Sequence, residues 1–154
     1  MLAGGPGAVL SHAAAGALSE LRASGAGGVD IIVPRSGRAR RDGLRIHRPR
    51  RLAATEVSSH HGIPVTTPAR TILDLAATLP TRPLERQLDQ AESARLTDVP
   101  SLVARARAHA GHRGAGRLPA TLDTHHPGRT QLEYEPLAVA ATLTAALGPQ
   151  PITM

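Results

Sequence analysis

Between Arg35 and Arg51 the chain carries eight arginines against a single acid, Asp42, a local formal charge of +7 in a protein whose net charge is +6. There is no lysine anywhere in the chain. Guanidinium groups hold phosphate and carboxylate oxygens through paired N–H bonds. This density of them predicts contact with nucleic acid or an acidic partner, weakening steeply with salt. Arg38, Arg40, Arg41, Arg45, Arg48, Arg50 and Arg51 are the residues assigned to that contact. No aromatic side chain is interleaved, so base stacking of the kind used by single-strand binders is not expected. The bland reading is a solvated loop whose charge keeps a sheet edge from pairing with other chains.

The remaining candidates for chemistry are weaker. Glu85, Asp89 and Glu92 share one helix face at i, i+4, i+7, which reads as an exposed acidic face rather than a metal site. The histidines include two adjacent pairs, His60/His61 and His125/His126, with His109 and His112 between them. Adjacent histidines point different ways, and no carboxylate lies at ligand spacing, so no metal and no cofactor are expected. His12 reads as a surface histidine in a helix's first turn. Arg70 and Asp74 stand at i, i+4, the spacing of an ordinary surface or half-buried ion pair. No GxSxG elbow occurs, and GGPG at Gly4–Gly7 lacks the lysine of a phosphate loop. A small-molecule substrate is not expected.

These residues need a scaffold, and 154 residues suffice for one domain. One Tyr and no Phe or Trp leave Leu, Val, Ile and Ala to build the core. Without cysteine, disulfides and thiolate chemistry are excluded. No secretory leader is visible and no apolar run approaches about 18–20 residues, so a cytoplasmic protein without a membrane span is expected.

The best-specified local structure is His61 to Ala77, HGIPVTTPARTILDLAA. Gly62 supplies a turn, Ile63 to Thr66 a short strand, and Thr67 an N-cap ahead of Pro68 at the first helical position. Ile72, Leu73 and Ala76 then form an apolar stripe, with Ala69, Leu75 and Leu79 widening it. Before this junction, Ser11 caps a predicted helix running to about Arg22. Val29–Val33 and Leu44–His47 read as a β-hairpin around the arginine-rich loop. After it come predicted helices over 68–79, over 83–95 with Leu84, Leu88 and Ala91 inward, and one capped by Asp98. Gly111–Gly116 reads as a break and Arg117–Leu122 as a short helix weakened by Pro119. The expected fold is α+β: about four short strands over residues 29–66, packed against an N-terminal helix and a C-terminal set of helices.

Four strings occur in one order: GPGAVLSHAAAGAL (Gly5–Leu18), VDIIVPRSGRARRDGLRIHR (Val29–Arg48), HGIPVTTPARTILDLA (His61–Ala76) and LERQLDQAE (Leu84–Glu92). Together they resemble the antitoxin-type region of the AbiEi family, bacterial proteins paired with nucleotidyltransferase toxins, over about Gly5–Leu122. The resemblance implies a non-enzymatic antitoxin-like regulatory module that binds a nucleotidyltransferase-type toxin, with the basic hairpin assisting DNA or partner contact. Longer relatives begin with a winged helix and often continue into a nuclease fold resembling the very-short-patch repair endonuclease. RTQLEYEP (Arg129–Pro136) is similar to the start of that fold, Glu133 matching its helical Glu. The expected organisation is a domain over 5–122, a nuclease-like remnant over 129–147 and a tail over 148–154, in a chain truncated at both ends. The metal-binding carboxylates do not follow, so no nuclease activity is expected. Two alternatives stand beside this: a DNA-binding module acting through the basic hairpin, and an inactive remnant of an endonuclease fusion.

Overall fold

His61 and Gly62 both take positive φ, 49° and 76°, and close a two-residue turn between β4 (Val57–His60) and β5 (Ile63–Thr66). Such a turn twists with the strands it joins, which is why His-Gly makes a tight antiparallel hairpin here. The computed structural model describes residues 7–19, 21, 28–34 and 42–125. Helix α2 (Pro68–Thr78) follows β5 directly, with Pro68 at its start and Thr67 extended at φ −60°, ψ 157°. The expected Thr67 side-chain cap is not made. Thr71 instead turns its hydroxyl back onto the Thr67 carbonyl at 2.9 Å and meets the Thr66 hydroxyl at 2.7 Å. The junction is therefore locked by two threonines inside the fold rather than by a cap at its edge.

The described residues form an α+β fold with a five-stranded mixed sheet in the order β3-β2-β1-β5-β4. Its central strand is β1, only Val9–Leu10, which pairs antiparallel with β2 (Val29–Ile32) and parallel with β5. The sheet thus begins well before residue 29. The expected hairpin between β2 and β3 (Leu44–His47) does not form: the two strands are adjacent but parallel, Asp30 opposite Arg45 and Ile31 opposite Ile46. The parallel register joins Ile31 and Val33 to Leu44 and Ile46 in one apolar cluster. Residues 35–41, with Arg38, Arg40 and Arg41, lie outside the described residues.

On the helical side α2 is the hub. It packs against α1 (His12–Leu18), α3 (Thr81–Ser93), α4 (Val99–Ala108) and α5 (Arg113–Thr124). Ile72, Leu73 and Ala76 meet Leu84, Leu88 and Ala91 of α3, Leu102 and Ala106 of α4, and Leu118 of α5. Asp98 caps α4 as expected, its carboxylate accepting the Ser101 N–H at 2.8 Å. Helix α1 is shorter than expected, and Ser11 bonds the His12 ring at 2.9 Å instead of capping. The break expected over 111–116 shrinks to His109–His112. Gly114 lies inside α5 because any Cβ there would sit 2.0 Å from the Leu73 carbonyl oxygen, so its absence lets α5 press against α2. Pro119 is accommodated within α5. Residues 126–154, which hold the nuclease-like segment and tail, lie outside the described residues.

Candidate functional site: a basic cleft over a buried ion network

Arg70 and Asp74 follow from the helical period of α2, but they do not face water. The Arg70 side chain is fully buried and that of Asp74 nearly so. An isolated buried guanidinium is costly, and the fold supplies two carboxylates for it. Arg70 Nε donates to Asp74 Oδ1 at 3.1 Å and Nη1 to Glu56 Oε2 at 3.2 Å. Glu56 closes a single 3₁₀ turn, Ala54–Glu56, where Oε2 also accepts the Ala53 N–H at 2.8 Å. Its other oxygen accepts from Arg105 at 2.9 Å and meets His109 Nε2. Burial raises the Glu56 carboxyl, yet the Ala53 N–H, the His109 hydrogen bond and the Arg70 charge outweigh it and hold it below its usual value. The ordinary surface pair expected of Arg70 and Asp74 is thus corrected: it is the centre of a buried network.

The network reaches two loops. Arg70 Nη1 also donates to the Arg51 carbonyl at 3.0 Å, fixing the end of the connection after β3. His112 Nδ1 accepts the Gly114 N–H at 2.9 Å, so its hydrogen sits on Nε2 and points to Asp74 Oδ1 at 3.1 Å. Between these loops opens a cleft of about 880 Å³. One lip is His47–Arg51; the other runs from Arg107 through the α4–α5 turn to Arg113. The buried residues His12, Ile32 and Asp74 form its floor.

The assigned arginines divide. Arg48, Arg50 and Arg51 line the cleft, joined there by Arg107 and Arg113, which the sequence pattern did not single out. Arg45 instead points at its own sheet, pairing with Asp30 at 3.0 Å. The described part of the basic segment is therefore a cleft lip and not a protruding hairpin arm, because β3 runs parallel to β2 and delivers the chain across α2.

Asp30 also accepts from or pairs with His47 Nε2 at 2.9 Å, and His47 stacks on His12 with ring centroids 3.9 Å apart. His12 is buried, contrary to the surface role expected for it, with φ 48°. Burial first, then His47 and His112, lower its pKa to about 4 against the opposing pull of Asp74 and Asp30. His12, Asp30 and His47 have the composition of a metal site. Their ligand atoms lie within 4.8 Å of one another, but a His12 ring nitrogen is held by Ser11 and both Asp30 oxygens already serve His47 and Arg45. Asp89, Glu92 and His125 form the second such group, with His125 at 3.3 Å and 3.7 Å from the two carboxylates. Asp89 is buried and Glu85 and Glu92 half-buried, so the acidic face expected on α3 is not a solvated one.

Sequence reasoning missed Glu56, although a signal existed: it is the only acid between Asp42 and Asp74, in a stretch dense with arginine. Among the described residues no helix is long and apolar enough to cross a membrane. No curated protein and no solved structure is significantly similar to the chain. Residues 8–124 match the family model of the AbiEi antitoxin C-terminal domain, which spans every described strand and helix, and the chain therefore belongs to the AbiEi antitoxin family, with a regulatory role in a toxin–antitoxin system.

Proposed function

We propose that this domain is a non-enzymatic antitoxin module that binds and neutralises a nucleotidyltransferase-type toxin in the cytoplasm, and that its arginine-rich face takes part in the contact. Family membership is the observation that carries this reading. The state of the carboxylates supports the non-enzymatic part. Glu56 and Asp74 are both tied to the buried Arg70, so neither is poised as a general base. In this reading the binding unit covers residues 5–122, residues 129–147 are the remnant of a nuclease-like start, and Arg38, Arg40, Arg41, Arg48, Arg50 and Arg51 supply charge toward the partner, while Arg45 stays paired with Asp30. Co-expression with the nucleotidyltransferase from the neighbouring gene is the test. Restored growth and co-purification are expected; continued toxicity with no association overturns the reading.

Nucleic-acid contact by the same arginines is the second reading, favoured by the basic lining of the cleft. It requires DNA affinity that falls steeply with salt and is blunted by Arg50→Ser with Arg51→Ser. A flat salt dependence excludes it.

A further inference from the structure

Helix α3 carries Asp89 and Glu92 one turn apart, so the helical period puts both carboxylates on one face. His125, the residue that ends α5, reaches that face from a distant part of the chain. Leu84, Leu88 and Ala91 of α3 share one apolar cluster with Leu118 of α5, so the two helices belong to the same core. The His125 N–H donates to the Leu122 carbonyl oxygen at 3.3 Å, which fixes the backbone from which the ring projects.

The ring is the informative part. Its side chain is only 5% exposed, and Nε2 lies 3.3 Å from Asp89 Oδ1 and 3.7 Å from Glu92 Oε2. A buried imidazolium between two carboxylates would donate its proton to one of them in a hydrogen bond. Among the described residues Nε2 makes no such bond. The 3.3 Å separation permits one, so it is the direction of the ring that fails: Nε2 is close to both oxygens and points squarely at neither. An ion at the centre of a tetrahedron accounts for this. With bonds of about 2.0–2.1 Å the ligand atoms stand about 3.3 Å apart, and each lone pair aims at the metal, about 35° away from the neighbouring ligand. The three ligand atoms all lie within 4.8 Å of one another, so a turn of the Glu92 side chain, 23% exposed, completes the set. One nitrogen and two oxygens suit a first-row divalent transition metal, zinc above the others. Calcium asks for about six to eight oxygens and magnesium for a near-octahedral oxygen shell, and an imidazole nitrogen serves neither.

We propose that Asp89, Glu92 and His125 bind a zinc ion, with water as the fourth ligand, and that the ion fastens the end of α5 to α3. The partial exposure of Glu92 gives the ion and its water a way in. The site shares no residue with the basic cleft and does not depend on the antitoxin reading, since a chain that neutralises no toxin still binds the metal.

Calorimetric titration of the chelator-treated, dialysed full chain with zinc chloride, calcium chloride and magnesium chloride tests this. A single saturable zinc site is expected, with calcium and magnesium far weaker. Glu92→Gln keeps the side chain's size and removes its charge, and it weakens zinc binding by about tenfold or more. His125→Asn does the same. His60→Ala, an exposed position on β4, leaves zinc binding unchanged. Circular dichroism verifies that each variant is folded; Glu92 is partly exposed, so its variant decides the matter if His125→Asn unfolds. Absent zinc binding, or full affinity in Glu92→Gln, overturns the site. Equal weakening by His60→Ala assigns the zinc to exposed histidines and overturns it as well. Calcium or magnesium bound as tightly as zinc overturns the choice of metal.

Discussion

Acidification from pH 7 to pH 5 should destabilise the protein through one residue, His12. Its pKa falls from 6.5 to about 4 on folding because the ring is buried against His47. The unfolded chain takes up a proton near pH 6.5 that the folded chain refuses until about pH 4. Between those values the unfolded state binds more protons, so stability falls as pH falls, with a limiting slope of about 1.4 kcal/mol per pH unit. Integrated from pH 7 to pH 5, the loss is about 2 kcal/mol, and it levels off below about pH 4. Urea denaturation at half-unit pH steps reads this as a midpoint shift of about 1 M. His12→Asn is the control, because Asn tolerates the positive φ of 48° at this position. The variant should flatten the profile between pH 7 and pH 5. An unchanged midpoint over that range in the parent chain, or an unchanged slope in the variant, refutes the argument that burial keeps this ring neutral.

Other substitutions separate the forces in the fold. Arg70→Leu strands Glu56 and Asp74 without their shared cation and should cost about 3–5 kcal/mol in denaturant unfolding. Replacing all three at once, Arg70→Met, Glu56→Leu and Asp74→Leu, should restore stability to near the parent's or above. A triple variant as unstable as Arg70→Leu alone contradicts that account. Gly114→Ala drives a methyl into the Leu73 carbonyl and should cost about 1–3 kcal/mol. Gly116→Ala, with open space around it in the same helix, should stabilise by about 0.5–1 kcal/mol. Thermal melts of the two alanine variants moving in the same direction would sink the packing argument. Below about pH 4.5 a second loss of stability is expected as Glu56, held below its usual value by folding, becomes protonated. Glu56→Gln should shrink that phase, leaving the part due to Asp98, which its bonds to Ser101 also hold below its usual value.

What the sequence made legible was local. The His61–Gly62 turn, the β5-to-α2 junction, the inward Leu84, Leu88 and Ala91, and the Asp98 cap all depend on residues within one turn of each other. What stayed hidden depends on distant partners. Val9 and Leu10 read as the end of a strand, but two residues show no strand period, and the central place of β1 is set by β2 and β5 on either side. The direction of β3 is not written in Leu44–His47, because parallel and antiparallel pairing bury the same alternating residues. Arg70 and Asp74 were visible as a pair, but their burial depends on Glu56, 14 residues upstream, and on His112, 38 residues beyond Asp74. A helical period states which residues share a face; it does not state whether that face meets water or another charge.

The buried network also explains why the basic cleft has a fixed shape in a fold with so little aromatic packing. Arg51 and His112 stand on opposite lips, and neither lip has an apolar anchor of its own among the core clusters. Both are tied instead to adjacent turns of α2, Arg51 through its carbonyl to Arg70 and His112 through its ring to Asp74. Glu56 holds Arg70 from the first lip's side and Arg105 and His109 from the other. Apolar side chains of equal volume would fill the same space without fixing which loop atom meets which helix turn, since hydrophobic contact is not directional. The ions therefore set the spacing of the exposed arginines, which the number of arginines in the sequence does not state.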